Sequence, residues 1–201
     1  MPNPDVTTSL IAICVNTENI AYMTIYGLGA ALSTRVSNEL GANNPPIAKG
    51  ATFAAVKLST FCILVIVLML GLGNRWWSAL FTSNSTIKDE FTSMTPFLLM
   101  TLLVDSFQGI LSGAVRGCGW QLYAFGINFI TFYLVGLPLA CWMGFSLKLY
   151  PKGLWIGLFC GLSCQAFSLL MIMIFMKWEK RDNEFVTRED LAKESQESLL
   201  D

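Results

Sequence analysis

Apolar residues run along this chain in five long blocks, separated by short stretches that are polar or rich in proline and glycine. Crossing about 30 Å of hydrocarbon takes roughly 20 helical residues. Five segments reach that length: Ser9 to Ser37, Ala48 to Leu72, Pro96 to Val115, Tyr123 to Phe145 and Leu154 to Met176. The last two are uninterrupted, because 31 residues between Arg116 and Lys148 and 24 between Lys152 and Lys177 carry no charge. Glu18 interrupts the first, whose length implies tilt or a cytoplasmic extension. The pattern predicts an all-α integral membrane domain of five transmembrane helices over residues 1–178, with an acidic tail over 179–201.

Breakers mark the connections. Asn43-Asn44-Pro45-Pro46 follows the first block, Gly71-Leu72-Gly73-Asn74 the second, and Pro151 precedes the fifth. Thr95-Pro96 has the order of an N-cap followed by proline at the first helical position, which predicts a helix start there. Pro138 lies inside the fourth block, where it removes a hydrogen bond to Leu134 and predicts a kink, a candidate hinge.

Composition agrees with a membrane class. The 201 residues are 54% hydrophobic and 13% charged, with mean hydropathy +0.55, against about 25% charged in soluble domains. The net charge of −1 hides an asymmetry: residues 179–201 hold eight acids against four bases. Nothing in this distribution suggests nucleic acid. Lys and Arg counted on alternate sides are in excess on the side of Arg35, Lys49, Arg116 and the tail, which predicts a cytoplasmic C-terminus. Asn84-Ser85-Thr86 then falls in an outward loop as a possible glycosylation sequon.

Histidine is absent, which removes imidazole metal ligands and the commonest general base. The six cysteines lie in or beside apolar segments without a CxxC pair, and read as small packing residues rather than metal ligands or disulfides. An intramembrane enzyme would need a histidine or a close carboxylate pair in a span, and the linear pattern displays neither. The expectation is a non-enzyme with no cofactor and no metal.

Between Glu90 and Arg116, 25 residues carry one charge, Asp105. An ionised acid in hydrocarbon has no water to stabilise it, so an acid retained there faces a polar cavity or a partner and acts as a proton or cation site. At 3.6 residues per turn Thr101, Asp105, Gln108, Gly109, Ser112, Gly113, Arg116 and Gly117 share one polar or small face. Its glycines, Gly109, Gly113 and Gly117, repeat every four and predict close helix approach, as do Gly153, Gly157 and Gly161 in the fifth block. The first block carries Glu18 and a stripe including Asn19, Tyr22 and Tyr26. Aromatic rings beside acids suit an organic cation. Asp105, Gln108 and Glu18 are therefore candidates for proton or cation coupling, and Asn19, Tyr22, Tyr26 and Thr101 for a substrate cavity. Arg35 and Glu39, four apart, predict a structural ion pair.

The run from Tyr26 to Ala42 (YGLGAALSTRVSNELGA) resembles the multidrug and toxic compound extrusion (MATE) family in its plant form, the DETOXIFICATION proteins. The resemblance continues at Asp105 to Gly113, Arg116 to Gln121, Asn128, Tyr133 to Pro138, Lys152 to Leu158 and Trp178-Glu179-Lys180, so that it covers about residues 3 to 181. It implies twelve helices in two six-helix lobes around a central cavity, with this chain supplying helices eight to twelve of the C-lobe. It also implies secondary active efflux of organic solutes or xenobiotics by antiport, with H⁺ or alternatively Na⁺ as coupling ion. The N-lobe and the seventh helix, with an acid that partners the one matched by Asp105, are then expected as missing partners. The lipid bilayer and a small, possibly cationic organic substrate complete the expected partners, in a plasma or vacuolar membrane. The alternative is a truncated, non-transporting membrane fragment that at most associates with an intact partner.

Overall fold

In the computed structural model, which describes residues 4–175 and Trp178, five long helices follow one another through short connections. They are α1 (Pro4–Gly41), α2 (Pro45–Ala79), α3 (Ser85–Gly117), α4 (Gln121–Ser146) and α5 (Tyr150–Phe175). The acidic tail lies outside the described residues.

Helix α3 is central, packed against α1, α2 and α5, and α4 leans mainly on α5. Two apolar clusters stack along α3. One joins Ile25, Leu32 and Val36 of α1 to Ile110, Val115 and Leu169; the other joins Leu10 to Phe91, Met94, Leu98 and Trp155. The outward faces remain apolar: Phe53, Phe61, Met69 and Leu72 on α2 and Phe125, Leu134 and Trp142 on α4 are exposed. Water would not tolerate so continuous a patch, whereas lipid matches it.

Four of the five helices, α2 to α5, are long and apolar enough to cross a membrane. Helix α1, with 38 residues, has the length, but Asn16, Thr17, Glu18 and Asn19 interrupt its apolar run. The five helices expected from the pattern are all present, α1 packing against α2 and α3 through its buried face.

Boundaries differ from the expectation at two places. Helix α3 starts at Ser85, not Pro96, because Asn84 Oδ1 accepts from the Thr86 N–H at 2.9 Å and caps it; Pro96 is inside the helix. Gly71 to Asn74 does not end α2 but marks a kink within it, where Gly73 has φ −104° and ψ 17°. Asn43 to Pro46 does break the chain: Asn43 takes a left-handed φ of 57°, and Pro45 opens α2 where no backbone donor is needed.

Around Pro138, α4 departs from α geometry over two π turns, Thr131–Gly136 and Trp142–Ser146. The Leu137 N–H reaches back five residues to Phe132 O, and the Leu147 N–H to Trp142 O at 3.2 Å. The disturbance expected at the proline is therefore spread on both sides of it, and such turns often mark functional sites.

Glycines set the tightest contacts. A Cβ on Gly113 would lie 2.5 Å from the Gly29 carbonyl oxygen, and one on Gly117 2.7 Å from that of Ser33. Gly109 is different, since a Cβ there would meet only the Ile25 Cγ2 at 3.5 Å. On α5, a Cβ on Gly157 would strike the Ala140 backbone, and one on Gly161 would sit 3.2 Å from Gly136 Cα. Backbones thus touch along the α1–α3 and α4–α5 seams.

Two indole hydrogen bonds tie helices together. Trp77 Nε1 donates to Thr17 Oγ1 at 2.8 Å, and Trp155 Nε1 donates to Thr101 Oγ1 at 3.2 Å. Trp155 is buried, so Thr101→Val leaves its N–H unsatisfied at a cost of about 1–3 kcal/mol. Unfolding in mixed micelles is expected to show that loss. Adding Trp155→Phe, which removes the orphaned donor, should cost less than the sum of the two single changes.

Candidate functional site: a cavity beside Asp105

The polar face of α3 separates by height. Thr101, 0% exposed, is spent on packing: its hydroxyl donates to Leu98 O at 2.8 Å and accepts from Trp155. One turn on, Asp105 and Gln108 open onto a cavity of about 480 Å³. Beyond them Gly113 and Gly117 close against α1. Thr101, expected in the cavity wall, is a helix-joining residue instead.

Four helices enclose the cavity. Tyr22 comes from α1, Asp105 and Gln108 from α3, Asn128 and Tyr133 from α4, and Gln165 from α5. Phe132, Leu137 and Leu162 supply its apolar wall. Phe132 and Tyr133 lie in the first π turn, so the widened helix carries one side of the site. Gln165 is 3% exposed, and its Oε1 has no hydrogen-bond partner among the described residues. An unpaired buried acceptor is costly and is relieved by a ligand that donates a hydrogen bond.

Glu18 does not line the cavity. It is partly buried on α1, one turn from Tyr22. Among the described residues that line the cavity none is basic. Its chemistry is one carboxylate, an amide acceptor and aromatic rings, which suits an organic cation bearing N–H groups.

Two other expected residues sit elsewhere. Asn19 is exposed and does not line the cavity, because it lies on the α1 face turned away from α3. Tyr26 is 46% exposed; its ring is 5.8 Å from that of Tyr22 and has the Arg116 guanidinium 6.0 Å above it. Its cation–π partner is thus the protein's own arginine. Arg35 and Glu39 do pair, at 2.9 Å.

Sequence reasoning missed Asn128, Tyr133 and Gln165 as cavity residues. The signal was present, since an amide side chain in an apolar span is unfavourable without a polar neighbour. Gln165 was hidden by its register with the glycine repeat, which reads as packing.

Comparison with known proteins follows the same lines. The MatE family model matches residues 4–142. Protein DETOXIFICATION 18 of Arabidopsis thaliana is 54% identical over 180 residues, covering 90% of this chain and 38% of that protein. Protein DETOXIFICATION 8 of the same plant is 38% identical over 180 residues, 90% of this chain and 37% of that protein. The crystal structure of the eukaryotic MATE transporter AtDTX14 matches with a TM-score of 0.85 at 34% identity, over 90% of this chain and 40% of that one. An inward-facing multidrug resistance MATE family transporter shares the fold at 19% identity, with a TM-score of 0.72, over 83% of this chain and 41% of that one. The chain spans about two fifths of the length of the relatives it matches.

Proposed function

Because this chain belongs to the MatE family, we propose that it forms helices eight to twelve of an efflux transporter that exports organic solutes in exchange for protons. The observation that carries the reading is the lodging of Asp105 and the unpartnered Gln165 acceptor on one cavity among the helices of a membrane domain.

The mechanism is competition for one carboxyl group. Protonated, Asp105 is neutral and tolerates an apolar, collapsed surround. Deprotonated, it needs a counter-charge, which a cationic substrate supplies while Gln165 accepts a hydrogen bond from it. Proton and substrate cannot both occupy the group, so the two fluxes are coupled. A membrane potential adds about 2.3 kcal/mol per charge per 100 mV to the work available. The N-lobe and seventh helix of a complete transporter close the other side of the cavity. In this arrangement the C-terminus is cytoplasmic and the membrane is the plasma or vacuolar one.

The test is a chimera in which residues 4–175 replace the matching segment of a full-length relative, assayed for export of a lipophilic cation from vesicles. Collapse of the proton gradient is expected to stop export and collapse of a sodium gradient to leave it unchanged. The reverse pattern assigns coupling to sodium, and no gradient-dependent export by a well-folded chimera removes the proposal. In the same chimera Gln165→Leu is expected to raise KM for a substrate with N–H donors by about tenfold, the worth of one buried hydrogen bond, while kcat changes less.

A further inference from the structure

Pro138 stands within α4 with no backbone N–H to give to Leu134, and its ring crowds the Leu134 carbonyl. The helix widens over Thr131–Gly136, where the Leu137 N–H reaches back five residues to Phe132 O. This turn is clamped to α5: a Cβ on Gly136 would stand 3.4 Å from Gly161 Cα, so the two backbones touch there.

The widening decides which residues meet the Asp105 cavity. Helix α4 presents Asn128, Phe132, Tyr133 and Leu137 to it. On an unbroken α-helix, at about 100° per residue, Phe132 would stand about 40° from Asn128, but Tyr133 about 140° and Leu137 about 180° from it. No single α face holds all four. A π turn takes up an additional residue, which swings Tyr133 and Leu137 back to the side of Asn128. The Tyr133 ring is stacked on that of Phe129, which is not among the residues that line the cavity, with centroids 4.7 Å apart and planes at 27°.

We propose that Tyr133 is a selectivity residue of the Asp105 cavity, a ring on which an aromatic cation stacks, and that Pro138 is the positioning residue that puts it there through the π turn. The inference rests on the reading of that cavity as the substrate site. Asp105 recognises charge, which every cation carries; Tyr133 recognises an aromatic ring beside the charge, which only some carry. Deleting Val135 takes the additional residue out of the turn. Asn128, Phe132 and Leu137 then stay within about 80° of one another on a plain α-helix, while Tyr133 turns about 100° from the middle of that face.

The experiment compares tetraphenylphosphonium with tetrabutylammonium, a cation of equal charge without rings, as substrates of the chimera that carries residues 4–175. Tyr133→Leu is expected to raise KM for tetraphenylphosphonium about tenfold, the worth of one aromatic contact, with kcat little changed. KM for tetrabutylammonium and the dependence on the proton gradient should stay as they were, whereas a merely structural lesion would raise both KM values. Deleting Val135 should reproduce the loss of preference, and Tyr133→Leu added to the deletion should cost nothing more. Pro138→Ala, which keeps every residue of the helix, should lower the preference in the same direction and serves where the shortened helix fails to fold. Unchanged preference in Tyr133→Leu would overturn the role of the ring. Unchanged preference in Pro138→Ala, or a further tenfold loss in the combined variant, would overturn the positioning by the π turn. No gradient-driven export of either cation by the parent chimera would instead overturn the reading of the Asp105 cavity on which the inference rests.

Discussion

Asp105→Asn, placed in a transporter completed with the missing helices of a full-length relative, is expected to lower proton-driven export of a lipophilic cation by at least a hundredfold. The amide keeps the shape and much of the hydrogen bonding of the acid, so packing on α3 is preserved. It cannot ionise, and a cation in the cavity then loses its counter-charge in a low-dielectric site, where charge-assisted contacts outweigh neutral ones. No other carboxylate, and no lysine or arginine, is among the described residues that line the cavity. Vesicle export with an imposed pH gradient measures the loss, and surface expression of the variant separates it from misfolding. Export that stays pH-driven in the Asn variant would take Asp105 out of the mechanism.

Gly113→Leu is expected to be a strongly damaging packing change. A Cβ at this position meets the Gly29 carbonyl oxygen at 2.5 Å and the Gly29 Cα at 2.9 Å, which are backbone atoms that cannot rotate away. Overfilling a close-packed seam costs about 1–3 kcal/mol and occasionally more. Here the contact is repeated one turn later at Gly117, so the upper end or beyond is expected. Separation of α1 from α3 would also carry Tyr22 and Glu18 away from Asp105, and binding should fall with stability. Gly109→Ala, in the same stripe, is expected to be tolerated, because its Cβ meets only a flexible side chain at 3.5 Å. Gly126→Ala on α4 meets nothing within 4 Å and should be neutral or stabilising by up to about 1 kcal/mol. Thermal unfolding in detergent ranks the three, and equal stabilities would remove the backbone seam as a determinant.

The outline of the fold was legible because lipid imposes a simple rule, that apolar blocks of sufficient length become helices. The same rule misplaced the start of α3, whose first turns from Ser85 project beyond the apolar block. Pro96 read as a start because proline favours the first turn, yet Asn84 had already capped the helix eleven residues earlier. In the site, Asp105 and Gln108 announced themselves as polar groups in an apolar run. Thr101 shares their face but meets Trp155, and periodicity cannot say which neighbour stands at which height. The π turns that present Tyr133 and the orphaned Gln165 acceptor are both products of tertiary packing. Neither has a pattern confined to its own segment.

The central claim is that one carboxyl group in the cavity is shared in turn by a proton and a substrate cation. The most direct measurement is proton release on binding: tetraphenylphosphonium is added to the purified chimera in weakly buffered detergent solution, just acid enough for the site to hold its proton. The account predicts release of about one proton per cation bound, and none in the Asp105→Asn variant. Binding without proton release, or release that survives in the Asn variant, would contradict it.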